Sequence, residues 1–208
     1  MRTADLINAL AADTTPAGNA RSSLLRVVPL AVVVLAIVMG SAIGLRPDAT
    51  EAMPAIAMKL SITLSLATIA LMLLLAMSVH LNLAGRLSVL AIVPVFALAF
   101  VVMDLVTNSS AGAMTRLVGT KSSHCLVLIP ALSSIPLAGF LAAARHGMPA
   151  SPAGAGALAG LAAAGIGASF YALNCMEDSP LFVAFWYSIA TLIVTGAGAA
   201  LGSRLLRW

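Results

Sequence analysis

Charged residues are scarce in this chain. Of its 208 residues, 61% are hydrophobic and only 9% are charged. A soluble domain carries far more charge on its surface, whereas a chain dissolved in lipid carries little. The composition therefore excludes an ordinary soluble domain and indicates an integral membrane protein.

Alternating strand patterns are also lacking, which argues against a β-barrel. Apolar stretches of about 18 to 25 residues recur instead, and a helix of that length crosses a hydrocarbon core of about 30 Å. The sequence predicts an all-α fold, a polytopic transmembrane helix bundle of six spans. The predicted spans are residues 27–45, 55–79, 87–106, 126–144, 154–173 and 181–201.

Basic residues are divided unevenly between the two ends of these spans. One end has Arg2, Arg21, Arg26, Arg86, Arg145, Arg204 and Arg207, and the other has Arg46, Lys59, Arg116 and Lys121. Because short loops rich in Lys and Arg stay in the cytoplasm, we expect both termini there and, if the host is a Gram-negative bacterium, the chain in its inner membrane. A collar of arginines beside lipid explains the basic balance without direct binding of nucleic acid.

Cysteine is rarer still, and both copies flank the fourth and fifth spans. Cys125 begins one span and Cys175 follows the other, and a short turn joins the two spans. Each cysteine is about 20 residues from the turn, or roughly 30 Å along its helix. We therefore expect the two thiols at the same height, on the periplasmic side.

Two thiols at one height suggest a shared site. A disulfide needs Cα atoms about 4.4–6.8 Å apart, which residues at the tips of adjacent helices can reach. A soft metal could take the same thiols, with His124, Glu177 and Asp178 as further ligands. The alternatives are that the cysteines are small apolar fillers and that His124 is a solvated interfacial residue.

The N-terminal segment predicts a short amphipathic helix in the cytoplasm. Thr3 can cap it, and Thr14, Thr15 and Pro16 end it. Its apolar face has Leu6, Ile7 and Leu10, and its polar face has Asp5, Asn8 and Asp13. A membrane-surface anchor would favour a basic polar face, so the acidic one favours docking to a partner protein.

Three motifs carry a family resemblance. They are Thr3-Ala-Asp5-Leu6-Ile7-Asn-Ala-Leu10-Ala-Ala-Asp13, His124-Cys125-Leu-Val-Leu-Ile129, and Cys175-Met-Glu177-Asp178-Ser179-Pro180 followed by Phe185-Trp186-Tyr187. In their order, their spacing and the number of spans, the chain resembles the NrsF family of bacterial membrane anti-sigma factors. The resemblance covers nearly the whole chain.

The resemblance implies a function and a division of the chain. Residues 1–26 would be a cytoplasmic segment that binds an extracytoplasmic-function sigma factor through Asp5, Leu6, Ile7, Leu10 and Asp13. Residues 27–203 would be the membrane domain, and 204–208 a cytoplasmic tail. The cysteine pair would sense heavy metals or oxidants by transient metal binding or disulfide formation, with no cofactor required.

Two other classes of function remain as alternatives. A membrane thiol oxidoreductase would need a Cys-x-x-Cys pair and a second pair to relay electrons, and the sequence has neither. A transporter of small solutes or metals would need interrupted, charge-lined spans. No nucleophile–base pattern or phosphate loop is found, so we predict that the chain is not an enzyme.

Two charges fall close to the apolar cores of the spans. Lys59 is expected to extend its ammonium to water at the membrane surface. Asp104 is expected to pair with a base or to line a cavity.

Overall fold

A computed structural model describes residues 20–77, 87–108, 112–120, 122–147, 149 and 151–206. Within these ranges the secondary structure is helical, with no strand. Six helical segments there are long and apolar enough to cross a membrane. The prediction of an all-α bundle with six spans is confirmed.

The spans are built from eight α-helices and the turns that extend them, counted over the described ranges. The α-helices are α1 (Ala20–Val38), α2 (Met53–Met77), α3 (Ile92–Thr107), α4 (Ala113–Val118), α5 (Ser122–Ala144), α6 (Pro152–Ala172), α7 (Pro180–Phe182) and α8 (Ser188–Leu205). A π-helical turn, Met39–Ile43, extends α1, and another, Val183–Tyr187, joins α7 to α8. Short 3₁₀ segments, Leu87–Ala91 and Arg145–Gly147, precede α3 and follow α5.

The first helix begins earlier than predicted. It starts at Ala20, whereas the sequence placed the first span at 27–45. Leu24 is almost fully buried in this added part, while Arg21 and Arg26 are exposed. An amphipathic turn therefore extends the apolar span, and the buried Leu24 joins the core.

Helix α6 is the centre of the bundle and packs against α2, α5 and α8. Its contact with α8 is made by two small-xxx-small pairs, Gly156 with Gly160 and Gly198 with Gly202. A Cβ atom on Gly202 would lie 2.7 Å from the Cα of Gly156, which no native packing tolerates. The spacing predicts close helix packing in membranes, and here the backbones of α6 and α8 touch.

The hairpin of α5 and α6 sets the position of the cysteines. The two helices run antiparallel through Arg145–Gly147 and pack along their length. Cys125, in the first turn of α5, and Cys175, just after α6, therefore reach the same end of the bundle. We call this end, made of the described residues in 44–52, 112–125 and 173–187, the cysteine end.

Helix α3 packs loosely by comparison. Most of its side chains are exposed, and only Val93 is buried. A mainly apolar cleft of about 320 Å³ lies between α3, α2 and the start of α8. The third span is therefore peripheral, while α6 holds the core.

Candidate functional site

The structure brings the two cysteines together. Both are free thiols and both are buried, with 0% of Cys125 and 3% of Cys175 exposed. The Sγ of Cys125 donates to the Tyr171 hydroxyl at 3.2 Å, and Cys175 lies near enough to Cys125 for the two thiols to interact electrostatically. The expected pair at one height is therefore found as two neighbouring buried thiols.

Two tyrosines enclose this dithiol. The rings of Tyr171 on α6 and Tyr187 in the π-helical turn have centroids 5.9 Å apart. The Tyr187 hydroxyl is buried and has no hydrogen-bond partner among the described residues. It lies near enough to Cys125 and Cys175 to interact with them electrostatically. The buried thiols thus lie beside two aromatic side chains.

Two buried cations hold the backbone of Cys175. Arg46 Nη1 donates to the carbonyl oxygen of Cys175 at 3.1 Å, and Lys59 Nζ donates to the same oxygen at 2.9 Å. The side chains of Arg46 and Lys59 are only 2% and 0% exposed. The expectation that Lys59 extends to water is wrong, because a carbonyl and a carboxylate inside the bundle satisfy its ammonium.

That carboxylate belongs to Asp178. Its Oδ1 accepts from Lys59 at 2.8 Å and from Arg46 at 2.7 Å, and its Oδ2 accepts from Arg46 at 3.0 Å. Burial alone would raise the pKa of Asp178, but the hydrogen bonds from Arg46 and Lys59 outweigh it and lower the pKa. Arg46 also forms a two-pronged contact with Asp48, which lowers the pKa of Asp48 to about 2.

The charge around Cys175 favours its thiolate. The neighbouring Cys125 side chain is the main cause that lowers the pKa of Cys175, and burial opposes it. The positive charge of Lys59 lowers the pKa further, while the Cys175 thiol itself donates to the Glu177 carbonyl at 3.9 Å. A lowered pKa favours the thiolate, which is the reactive form of a cysteine.

Glu177 fastens the cysteine loop to the loop before α5. Its Oε1 accepts from the backbone N–H of Thr120 at 2.7 Å and from the Thr120 hydroxyl at 2.5 Å. These bonds, the hydroxyl first, lower the pKa of Glu177. Gly119, with φ +57°, allows this approach, since a Cβ there would lie 2.6 Å from the Phe182 ring.

The proposed extra metal ligands are not gathered around the thiols. His124 is exposed, Glu177 bonds to Thr120, and Asp178 bonds to the two cations. Among the described residues no group of three or more His, Cys, Asp or Glu side chains could hold a metal. Of the five predicted ligands, only the two thiols are buried side by side, and a metal site there stays a prediction.

Two further contacts lie at the cysteine end. Asp104 pairs with Arg116 at 3.2 Å, as expected of an acid in a span. The indole N–H of Trp186 donates to the Leu117 carbonyl at 2.8 Å. The short helix α4 is thereby tied to the sixth span.

Sequence reasoning missed four residues of the site. It did not predict that Arg46 and Lys59 would hold Cys175, or that Tyr171 and Tyr187 would surround the thiols. A signal existed for Lys59, because a lysine inside a span marks a buried partner. Tyr171 lies four residues before Cys175, one helical turn away, which is also a readable signal.

The residues predicted to bind a sigma factor, Asp5, Leu6, Ile7, Leu10 and Asp13, lie outside the described residues. Their placement stays a prediction. The described chain begins at Ala20, where α1 emerges at the end of the bundle opposite the cysteines.

The chain was compared with protein families, with curated proteins and with solved structures, and the first two comparisons give a match. A family described as "Negative regulator of sigma F", NrsF, matches residues 10–208. The Anti-sigma-F factor NrsF of Caulobacter vibrioides (strain NA1000 / CB15N) is 33% identical over 112 residues. That alignment covers 54% of this chain and 52% of the relative, so it spans about half the length of that protein. No solved structure matches the chain.

The family match extends over almost all the described residues, including every span and both cysteines. It agrees with the resemblance drawn from the three sequence motifs. The chain belongs to the NrsF family.

Proposed function

We propose that the chain is a membrane anti-sigma factor that holds an extracytoplasmic-function sigma factor at the cytoplasmic face and releases it when Cys125 and Cys175 are modified. Family membership and the name of the Caulobacter relative support the regulatory part of this proposal. The observation that carries the sensing part is the burial of the only two thiols of the chain side by side.

A buried dithiol can record a chemical signal in two ways. In oxidation, the thiolate of Cys175 attacks an oxidant such as a peroxide, which leaves a sulfenic acid on Cys175. The thiol of Cys125 then displaces water from that sulfur, and a disulfide forms. The peroxide takes up the two electrons. In metal binding, both thiols lose their protons and a soft cation bridges the two sulfurs.

The polar partners of Cys175 make the pair sensitive. A lowered pKa raises the thiolate fraction at neutral pH, and the neighbouring Cys125 is placed to complete a disulfide. A distant pair would need a large rearrangement before the sulfurs met. Here both thiols are buried at the same end of the bundle and near enough to interact electrostatically, which favours bridging by a small local movement.

The partner-binding part rests on the N-terminal segment. We propose that Asp5, Leu6, Ile7, Leu10 and Asp13 form the face that holds the sigma factor. A helix this short is marginal in water by itself, and burial of its apolar face against a partner would stabilise it.

The experiment is a reporter assay in cells that contain the chain, the sigma factor and a sigma-dependent promoter. Phenylarsine oxide, which bridges two thiols with loss of water, and hydrogen peroxide serve as probes. Wild type should respond to both. The double variant with Cys125→Ser and Cys175→Ser should stay at basal output, at equal membrane abundance. Full induction of that variant would disprove the sensing claim.

A second arm tests partner binding separately. Deletion of residues 2–17 should give high output without any probe, because the sigma factor is no longer held. The control is a chain with a scrambled order of the same residues, which should also be constitutive. A deletion variant that keeps the promoter silent would remove the anti-sigma assignment.

A further inference from the structure

The end of the first span is fastened to the cysteine loop at several points. The backbone N–H of Arg46 donates to the Leu173 carbonyl at 3.2 Å, and the Asn174 side chain donates to the Gly44 carbonyl at 3.1 Å. The guanidinium of Arg46 adds bonds to the Cys175 carbonyl and to Asp178. The segment just after α1 therefore follows the position of the cysteine loop.

Lys59 fastens the second span to the same point. Its ammonium reaches the Cys175 carbonyl and the Asp178 carboxylate, and it is fully buried. We call Arg46, Lys59, Asp178 and the Cys175 carbonyl the cation clamp. The clamp holds the backbone of the residue whose thiol has the lowered pKa.

Burial makes the clamp sensitive to small displacements. A buried cation that loses an acceptor has no water to replace it, so it must follow that acceptor or be left unsatisfied. A shift of the Cys175 backbone on bridging would carry the shared carbonyl oxygen with it, and the side chains of Arg46 and Lys59 would have to follow.

Helix α1 is well placed to pass such a movement on. It packs mainly on α5, and much of its remaining surface is exposed. The π-helical turn Met39–Ile43 lies between the regular helix and Arg46, and π-helical turns are frequent at functional sites. The other end of α1 starts at Ala20, inside the predicted N-terminal segment 1–26.

We infer that Arg46 and Lys59 are positioning residues that couple the state of the thiol pair to the first span, and through it to the N-terminal segment. The inference rests on the proposed function. In it, the thiols detect the signal and the cation clamp transfers it. Removing a clamp cation should uncouple output from thiol chemistry.

The test uses the full chain in the same reporter cells, with phenylarsine oxide as the probe. Two quantities are measured for each variant: the fraction of Cys125 and Cys175 bridged, by mass spectrometry, and the ratio of treated to untreated output. Asp104→Asn is the matched control, because it breaks an ion pair at the same end of the bundle without touching the cysteines.

Lys59→Met should be bridged more slowly than wild type, because the Lys59 charge helps to lower the pKa of Cys175, so each variant is treated until bridging is complete. At equal bridging and equal membrane abundance, the output ratio of Lys59→Met and Arg46→Met should fall to near one. The coupling lost is expected to be of the usual allosteric size, about 5-fold or more. Arg46→Lys keeps the charge but loses the two-pronged geometry, so its ratio of treated to untreated output should be intermediate. This variant tests the inference if either methionine variant fails to accumulate. Asp104→Asn should respond as wild type does.

A normal output ratio in Lys59→Met and Arg46→Met would overturn the inference. Failure of these variants to bridge even at saturating probe would overturn it too, because the cations would then be needed for detection of the signal and not for its transfer. If wild type itself gives no response to bridging, the proposed function fails instead, so that the two failures are distinguishable.

Discussion

Asp178 and Lys59 should differ sharply in what their removal costs, although they contact each other. In Asp178→Asn, the buried Lys59 keeps the Cys175 carbonyl and at most an amide oxygen as acceptors, but it loses its counter-ion. In Lys59→Met, Asp178 keeps both bonds to Arg46, and the Cys175 carbonyl keeps one. The first change leaves a buried charge without a counter-ion, and the second leaves no charge unpaired.

The magnitudes follow from this asymmetry. Removing one partner of a buried pair costs about 3–5 kcal/mol, and we expect the lower value because Asp178 is partly exposed. Lys59→Met should cost less than about 1 kcal/mol, since replacing a buried ion by an apolar side chain of similar volume is often neutral. Arg46 retains Asp48 in both variants.

The double variant gives the decisive comparison. With Lys59→Met present, Asp178→Asn no longer strands an ammonium, so the double variant should be more stable than Asp178→Asn alone by about 2 kcal/mol. The assay is reversible unfolding in mixed micelles by titration with a denaturing detergent, for wild type, both single variants and the double variant. Equal costs for the two single variants, with strict additivity in the double, would refute the reasoning.

Three further predictions concern other parts of the molecule. In Cys125→Ser, the rate at which iodoacetamide alkylates Cys175 should rise at a pH below the usual thiol pKa of about 8.5, because a lowered pKa forms the thiolate at lower pH. In Cys125→Ala, which removes the polar group that lowers this pKa most, the rise should move to higher pH. Identical profiles for the two variants would contradict this. Gly198→Ala, whose Cβ would lie 3.0 Å from the Gly160 Cα, should lower the free energy of unfolding by about 1–3 kcal/mol in the same assay. Gly196→Ala is the control and should be neutral, because its Cβ would have no atom within 4 Å. Equal effects of the two variants would count against close packing of α6 and α8. Trp186→Phe should speed proteolysis within α4 because the bond to Leu117 is lost, and an unchanged rate would show that this bond does not hold α4.

The architecture could be predicted because lipid imposes it. Every backbone group in a span must be satisfied within its own helix, so that length and hydropathy alone locate the six spans. The height of Cys125 and Cys175 followed from counting residues along two helices of known rise. Family membership followed from short motifs in a fixed order, and the family match confirms it.

The polar interior of the site could not be predicted in the same way. Sequence hydropathy treats Lys59 as a charge near a surface, and only the packing of α2 against the cysteine loop shows that Asp178 and Cys175 are within its reach. The partners of Glu177 and Asp178 could not be predicted for a related reason. Glu177 and Asp178 are adjacent in the chain, yet one bonds to Thr120 and the other to Arg46.

The central position of α6 determines which parts of the bundle can move. Its glycines and alanines touch the backbones of neighbouring helices on several sides, so that a tilt of α6 would collide with all of them at once. Tyr171, at the end of α6, is therefore a fixed reference beside the thiols. Any strain created by bridging the sulfurs has to be released on the other side, by the loop of Cys175 and the peripheral spans fastened to it. Helix α6 is thus the fixed part of the bundle, and the loop of Cys175 with its attached peripheral spans is the part that can move.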